Sequence, residues 1–360
     1  MNSNLTAKHY ICRDHFAVEQ NFLPKSNWTF VGCLSDLSDT NAYITSTIGG
    51  KPVVIQRFGD GSLSALSNIC RHRLSLLQAR KFGVRALTCP YHGWSYDKTG
   101  ALVGIPCRAQ FPELATRDSA RNIKLTEYRV EVCGSLVFVA DVSVKSSLKE
   151  FIGNFYTRLE QLSNAFGRRI DRNELIIKAN WKIVVENTLE AYHVATVHEN
   201  SFAKLGLNTL RNRFDGPHST MEALLEEKSQ RDFEKIAKHF KTRPEIFDGY
   251  FHQMVFPAMT FASTGGLSFA VQEIEAIDES TTRFTSHVFL TSYSKTRQSA
   301  LEEALASTIN TFNRQVFEED RLICTAVHDG TEKSEFGALL GENEARIKEY
   351  HRAYIAALSP

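Results

Sequence analysis

Four residues in two short pairs constrain this chain more than any other feature. Cys70 and His72 are two positions apart, Cys89 and His92 are three apart, and sixteen residues separate the pairs. A structural zinc site more often pairs cysteine with cysteine and histidine with histidine. Mixed pairs let each loop give one sulfur and one nitrogen, which is the ligand set of a Rieske [2Fe–2S] cluster. Zinc binding and chance clustering remain the alternatives to this prediction.

The residues around the four ligands support the same interpretation. The two stretches are Asn68–Arg73 (NICRHR) and Thr88–Trp94 (TCPYHGW). They resemble the Rieske domain of ring-hydroxylating and related oxygenases. In that family the proline and glycine allow a tight loop whose backbone amides hydrogen-bond the cluster sulfurs. Respiratory-chain Rieske proteins usually carry an extra cysteine in each loop, and neither loop has one here.

The chain is long enough for two domains, and its composition does not indicate a nucleic-acid or membrane partner. The 360 residues are 42% hydrophobic and carry a formal net charge of +1, so charge indicates neither nucleic acid nor an anionic membrane. The sequence shows no apolar signal segment in its first twenty residues and no uncharged apolar run long enough to cross a bilayer. We therefore expect a soluble cytoplasmic protein that binds neither nucleic acid nor membrane.

Turn residues and apolar patterns divide the chain into two domains. Short strands such as Pro52–Arg57 and Leu136–Ala140 alternate with glycine-containing turns, which predicts an all-β Rieske domain over residues 28–142. Residues 143–360 are predicted to form a second, catalytic domain. Residues 1–27 are expected to be a polar leader that packs on the catalytic domain.

The second domain mixes helical and strand patterns. Helical periodicity is expected around Leu148–Phe166 and over most of the charge-rich stretch 205–250. An antiparallel meander is then predicted, with strands at Met254–Ala262, Leu267–Ile277 and Arg283–Leu290.

A long helix is predicted to follow, opened by a capping box of Ser299 and Glu302. Its apolar residues recur every three or four positions and predict one buried face. They are Leu301, Leu305, Ile309, Phe312, Val316, Ile323 and Val327. The series lacks one step between Val316 and Ile323, and Asp320 occupies that position. A carboxylate on a buried helix face is energetically unfavourable unless it is paired, protonated or metal-bound. Glu318 and Glu319 are expected to be solvated. Helix geometry alone does not decide whether Asp320 forms an ion pair or binds a metal.

Two histidines five positions apart, His193 and His198, follow an acid, Glu190, three residues before the first. This segment resembles the mononuclear iron segment of the same oxygenase family. The resemblance implies that His193, His198 and Asp320 bind iron as a 2-His-1-carboxylate triad with positions open for O2 and substrate. It also implies catalytic roles for Glu190 and Asn187.

Spacing adds one expectation about local structure. Asn187, Glu190 and His193 are three apart and share a helix face, whereas His198 lies about 140° further round. The helix should therefore end or distort before His198. The family's naphthalene-type members have Asp at the position of Glu190 and one more residue before it. The pattern here is more similar to the branch of carnitine, choline and betaine monooxygenases, which also includes enzymes that act on aromatic compounds.

The resemblance covers about residues 28–360 and implies an α+β oxygenase α subunit. The implied architecture is an all-β Rieske domain of stacked antiparallel sheets and a helix-grip (START-like) catalytic domain, whose antiparallel sheet packs against helices. Electrons from a NAD(P)H-dependent reductase or ferredoxin would reach the [2Fe–2S] cluster and then Fe(II), where O2 hydroxylates or oxidatively demethylates a small-molecule substrate. An aromatic dioxygenase is the first alternative, and an electron-transfer Rieske protein is a distant one. The 24 phenylalanines are compatible with a hydrophobic pocket or an aromatic cage for a quaternary ammonium group.

The resemblance also implies a head-to-tail homotrimer. In such a trimer Glu190 would bridge His92 of one subunit to His193 of its neighbour. A basic surface beside the cluster is predicted to receive the electron donor, although a merely solvating role is equally consistent with its charges. Its residues are Arg71, Arg73, Arg80, Lys81 and Arg85, with no acid between Asp60 and Asp97.

Overall fold

The computed structural model describes residues 5–239, 247–292 and 300–358. Contacts between Cα atoms divide the chain into two compact units, one of residues 20–151 and one of residues 1–19 with 152–360. The boundaries at 28 and 142 remain a prediction of the sequence. Helices and antiparallel sheets make the fold α+β, as expected. None of the helices in the described ranges combines the length and apolar character that a membrane span requires.

The unit of residues 20–151 is built on strands. They are β1 (Thr29–Cys33), β2 (Ala42–Ile48), β3 (Lys51–Arg57), β4 (Leu63–Ser67), β5 (Phe82–Val84), β6 (Ser95–Tyr96), β7 (Leu102–Gly104), β8 (Glu127–Cys133) and β9 (Leu136–Ala140). One antiparallel sheet has the order β1-β9-β8-β4-β3-β2-β5, and β6 pairs with β7. The strands predicted at Pro52–Arg57 and Leu136–Ala140 are confirmed as β3 and β9. Gly49 and Gly50, with φ of 57° and 72°, form the left-handed turn between β2 and β3.

The second unit contains one long antiparallel sheet. Its strands are β10 (Phe166–Ile177), β11 (Asn208–Asp215), β12 (His218–Leu224), β13 (Tyr250–Val255), β14 (Met259–Thr264), β15 (Ser268–Asp278) and β16 (Thr281–Thr291). They lie in the order β10-β16-β15-β14-β13-β12-β11. Apart from the pairing of β10 with β16, each strand pairs with the next along the chain, as in the predicted meander.

Both units also contain helices. They are α1 (Ala7–Ile11), α2 (Arg13–Ser26), α3 (Arg117–Arg121), α4 (Leu148–Ile152), α5 (Tyr156–Asn164), α6 (Trp181–Thr188), α7 (Val194–Val197), α8 (Glu227–His239), α9 (Ala300–Lys333) and α10 (Ala345–Leu358). The expected helical region around 148–166 is confirmed as α4 and α5, interrupted at Gly153, whose φ is 63°.

One strand prediction and one helix prediction are wrong. The single strand expected at Met254–Ala262 is two strands, β13 and β14, because Pro257 lies between them and cannot donate to a ladder. The stretch 205–250, expected to be mostly helical, contains the β11–β12 hairpin before α8. Strand β11 is one of the two edge strands of the sheet, and its side chains are almost all exposed. An edge strand of this kind leaves no alternating apolar pattern in the sequence.

The N-terminal segment forms two helices, α1 and α2, and residues 1–19 belong to the same compact unit as residues 152–360. Glu19 on α2 is fully buried, where it accepts a hydrogen bond from Trp181 Nε1 (2.9 Å) and pairs with Lys182. The hydroxyl of Tyr354 also donates to this carboxylate. These partners lie more than 160 positions away in sequence, so the composition of the segment does not reveal the buried contact.

The long C-terminal helix α9 begins at Ala300 in the described chain, and Ser299 of the predicted capping box lies outside the described residues. The predicted buried face is only partly correct, since Leu301 and Val327 are 50% and 47% exposed. The buried residues of α9 each lie one position after a predicted member of the face, namely Glu302, Ala306, Cys324 and His328. The face is rotated because α9 packs against β10, α6 and α7 at once.

Candidate active site

The helix that carries Asn187 ends before the two predicted histidine ligands. Helix α6 stops at Thr188, and a one-turn helix α7 follows, with His193 as its N-cap and His198 as its C-cap. The expectation that the helix ends or distorts before His198 is confirmed. The break turns both imidazoles toward α9, so that residues five apart share one site.

His193, His198 and Asp320 meet in the structure. One possible ligand atom from each lies within 4.8 Å of the other two. The Nε2 atoms of His198 and His193 are 3.1 Å and 3.8 Å from Asp320 Oδ1. Asn187 also belongs to this site, because its Nδ2 donates to Asp320 Oδ1 (2.7 Å) and orients the carboxylate.

A carboxylate holds the far side of each imidazole. His193 Nδ1 contacts Glu190 Oε1, and His198 Nδ1 is 2.7 Å from Glu319 Oε2. An ionised carboxylate only accepts, so both Nδ1 atoms donate and neutral rings leave bare Nε2 lone pairs. These lone pairs face the carboxylate of Asp320, an arrangement of acceptors that favours a bound cation.

Glu319 was expected to be solvated, and this prediction is wrong. Besides His198, its Oε2 accepts from Ser201 Oγ (2.5 Å) and its Oε1 from Gln315 (2.9 Å). Glu318, in contrast, pairs with Arg321 on the helix surface. The residues on α9 gave no signal for this difference, because two of the partners of Glu319, His198 and Ser201, lie about 120 positions earlier.

The same carboxylates control protonation of this site. Burial disfavours a charge on His198, but the carboxylates of Asp320 and Glu319 outweigh burial and raise its pKa. For Glu319, burial acts against ionisation, and the hydrogen bonds from Ser201 and His198 outweigh it and lower its pKa. A positive charge between these groups is therefore favoured.

We expect Glu319→Gln to weaken iron binding about 10–100-fold, as is usual when a carboxylate behind a ligating histidine is lost. The amide can turn its N–H toward His198 Nδ1, which moves the ring proton to Nε2 and blocks the ligand atom. Titration with Fe(II) under anaerobic conditions measures the change. Glu318→Gln, which removes a surface carboxylate one position away, should bind iron like the unmodified protein. Equal affinities for both variants would contradict this role of Glu319.

The two predicted cluster loops have matching turns. Cys70 N donates to Ser75 O (2.8 Å), and Cys89 N donates to Trp94 O (2.7 Å). The thiols are buried, at 0% and 3% exposure, whereas His72 is half-buried and His92 is exposed. The two imidazole rings are 4.7 Å apart between centroids. Each loop therefore presents one buried thiol and one more exposed imidazole.

Neighbouring aromatic side chains fix these loops. Tyr96 OH accepts from Arg71 N (2.9 Å) and lies 3.3 Å from Cys70 Sγ, so its proton is free to reach the sulfur. The ring of Trp94 stacks on His72 at 4.7 Å. Sequence reasoning did not single out Tyr96, although hydrogen bonds to cluster sulfurs tune such centres.

One member of the predicted basic surface has a structural role instead. Arg85 donates from Nη1 to Leu77 O (2.9 Å) and from Nη2 to Thr88 O, and so braces the second cluster loop. Arg73 is exposed and lies over the ring of Tyr91 at 5.0 Å. Arg71 and Arg80 are also exposed.

A cavity of about 130 Å³ opens beside the two histidines and Asp320. His193, His198 and Asp320 line it together with Asn187 and Glu190. Its apolar lining includes Phe202, Phe284, Phe312 and Phe317, and its polar lining includes Tyr250, His252 and Gln272. An apolar cavity with a few convergent polar groups is the usual form of a small-molecule site.

Two family models match the chain. Residues 159–359 match the catalytic domain of the ring-hydroxylating α subunit, and residues 27–126 match the Rieske [2Fe-2S] domain. The α subunit of toluate 1,2-dioxygenase from Pseudomonas putida is 30% identical over 211 residues, which are 56% of this chain and 45% of that protein. The glycine betaine monooxygenase oxygenase subunit from Chromohalobacter salexigens is 28% identical, over 51% of this chain and 40% of that protein.

Solved structures share the fold over nearly the whole chain. The quaternary ammonium Rieske monooxygenase CntA with L-carnitine has a TM-score of 0.78 at 19% identity, covering 98% of this chain and 94% of that one. Naphthalene 1,2-dioxygenase from Rhodococcus sp. bound to indole has a TM-score of 0.76 at 17% identity, covering 99% and 94%. The matched curated relatives are longer proteins, and the match spans less than half the length of the two described above.

Proposed function

Because the chain belongs to the family of ring-hydroxylating oxygenase α subunits and carries a Rieske [2Fe–2S] domain, we propose that it is a Rieske oxygenase. It uses O2 and electrons from NAD(P)H to hydroxylate or oxidatively demethylate a small organic substrate. The observation that carries this proposal is the meeting of His193, His198 and Asp320 beside a largely apolar cavity.

The residues present fit both metal groups of the family. At the mononuclear site, two Nε2 lone pairs face one carboxylate, and each imidazole is held from behind by another carboxylate. At the cluster site, Nδ1 of His72 is buried and has no hydrogen-bond partner among the described residues, as expected of an atom that binds metal. We assign Cys70, His72, Cys89 and His92 to the cluster.

When bound, the cluster and the iron supply electron transfer and O2 activation, which is the chemistry of the metals themselves. The chain holds the Nδ1 protons of His193 and His198 on carboxylates, so that both Nε2 atoms stay available. Asn187 orients the Asp320 carboxylate from one side. The cavity places the substrate next to this site.

Electron delivery in this proposal crosses between subunits. The oxygenase forms a head-to-tail homotrimer that receives electrons from a NAD(P)H-dependent reductase, directly or through a ferredoxin. Glu190 then links His193 to His92 of the adjacent subunit. Two features support this role: Glu190 already contacts His193 Nδ1, and the imidazole of His92 is exposed.

Iron removal tests the proposed function. A mild chelator should abolish substrate-dependent O2 uptake while the EPR signal of the reduced cluster remains. Added Fe(II) should restore O2 uptake, and added Zn(II), which has no redox chemistry, should not. A cluster that is reduced and reoxidised by its partner without any iron-dependent O2 uptake would instead indicate an electron-transfer protein. Because four phenylalanines line the cavity, dihydroxylation of an aromatic ring is the second candidate reaction.

A further inference from the structure

Arg346 is a buried charge that the proposed site does not use. It lies at the start of α10 and is 1% exposed. Its Nε donates to Ser219 Oγ (3.0 Å), and its Nη2 is 3.5 Å from Ser219 O and 2.9 Å from His252 Nδ1. Within the described parts of the chain, Nη1 has no hydrogen-bond partner and no carboxylate contacts the guanidinium.

An unpaired guanidinium in the protein interior is unfavourable, because a buried charge normally requires a counterion. Burial lowers the pKa of Arg346 to about 9, so the group is still protonated at neutral pH. Glu19 and Lys182, a buried ion pair of the same unit, show the usual compensation. The described residues supply no such counterion for Arg346.

His252 connects this charge to the active-site cavity. A guanidinium can only donate, so His252 Nδ1 accepts from Arg346 and the ring proton lies on Nε2. Burial, and then the charge of Arg346, hold the pKa of His252 well below its usual value, so the ring stays neutral. His252 lines the same cavity as His193 and Asp320. It thus supplies the cavity with an N–H donor that a buried cation polarises.

The size and lining of the cavity limit what such a donor can bind. An engineered apolar cavity of about 150 Å³ binds benzene, and the cavity here measures about 130 Å³. Its phenylalanine lining suits one apolar ring. An aromatic cage for a quaternary ammonium group relies on attraction between the cation and the rings. The positive charge of Arg346 behind His252 opposes a cation at this place.

We propose that the substrate is a carboxylate of about one ring in size, whose carboxylate oxygen accepts from His252 Nε2 while Arg346 provides the countercharge. This inference rests on the proposed function, since it takes the cavity beside the triad as the substrate site. It makes Arg346 a positioning residue and His252 the group that touches substrate.

Three probes of similar shape and different charge test the substrate class. Calorimetric titration of the intact, iron-loaded protein compares benzoate, benzamide and phenyltrimethylammonium. Hydrogen bonds to ionised groups are about twice as strong as neutral ones, so we expect benzoate to bind at least about tenfold more tightly than benzamide. Phenyltrimethylammonium should bind more weakly than either.

Two variants test whether Arg346 and His252 cause the preference for benzoate over benzamide. Arg346→Met should bind benzoate no better than benzamide, and it should fold, because replacing an unpaired buried charge by an apolar side chain is neutral or stabilising. His252→Phe should lose the same preference. The matched control is Arg352→Met on the same helix, because Arg352 is exposed and pairs with Glu349. This control should keep the preference for benzoate, and thermal unfolding checks the fold of each variant.

Several outcomes would overturn the inference. They are no binding of benzoate, equal or tighter binding of benzamide or the cation, and an unchanged preference in Arg346→Met and His252→Phe. Calorimetry does not depend on turnover. If the inference about the carboxylate is wrong but the proposed function is right, iron-dependent O2 uptake will still be observed. Tight benzoate binding without any iron-dependent O2 uptake would support the inference and reject the oxygenase.

Discussion

We expect His193→Ala to abolish substrate-dependent O2 uptake and to leave the visible and EPR spectra of the cluster unchanged, whereas Cys89→Ala should remove those spectra. The reason is that the two ligand sets lie in different compact units, residues 152–360 and residues 20–151. His193 gives one of the three ligand atoms that meet at the mononuclear site. Cys89 gives one of only two buried thiols at the cluster site, and neighbouring side chains cannot replace a thiolate.

Iron and sulfide analysis, EPR of the dithionite-reduced protein and oxygen uptake measure the two losses separately. His9→Ala and Cys133→Ala are matched controls, because each removes the same residue type from the same unit outside the proposed ligand sets. Both controls should keep both metal centres. If His193→Ala lost the cluster, or Cys89→Ala kept it, the assignment of two independent metal sites would be wrong.

The second large effect is expected at Glu190. Its Oε1 contacts His193 Nδ1, and its Oε2 accepts from the backbone N–H groups of Tyr192 and His193. Glutamine has one acceptor oxygen and adds two N–H donors, so it cannot satisfy all of these contacts. We expect Glu190→Gln to retain both metal centres and to lower coupled turnover about 10–100-fold, the usual loss for such a partner. Stopped-flow reoxidation of the reduced cluster in the presence of substrate measures the affected step.

Glu318→Gln is the control, since Glu318 is an exposed carboxylate that pairs with Arg321. It should react like the unmodified protein. Cluster reoxidation at the normal rate in Glu190→Gln would remove Glu190 from the electron path and leave it as a cap of the short helix α7.

Mixed assembly separates a route between subunits from a route within one chain. His92→Cys and Asp320→Ala should each be inactive, and their co-assembled trimers should recover part of the activity. The recovery is expected because one interface then joins an intact cluster to an intact iron site. Verified mixed trimers without any recovered activity would reject the route between subunits.

The sequence alone determined the features that depend on short spacing. The two Cys/His pairs, the break before His198 and the position of Asp320 on α9 could all be predicted from residues within a few positions of one another. Covalent spacing limits which side chains can reach a common point, so local patterns are sufficient at such sites. The strands at Pro52–Arg57 and Leu136–Ala140 were predictable for the same reason.

Only the tertiary structure decided which polar groups are paired. Glu319 was expected to be solvated, and it holds His198 from 121 positions away. Arg346 acts on His252 across 94 positions, and Glu19 binds Lys182 across 163. The reason is physical: the free energy of a buried charge depends on the partners that packing brings to it. Those partners come from distant elements, whose positions no local pattern of residues records.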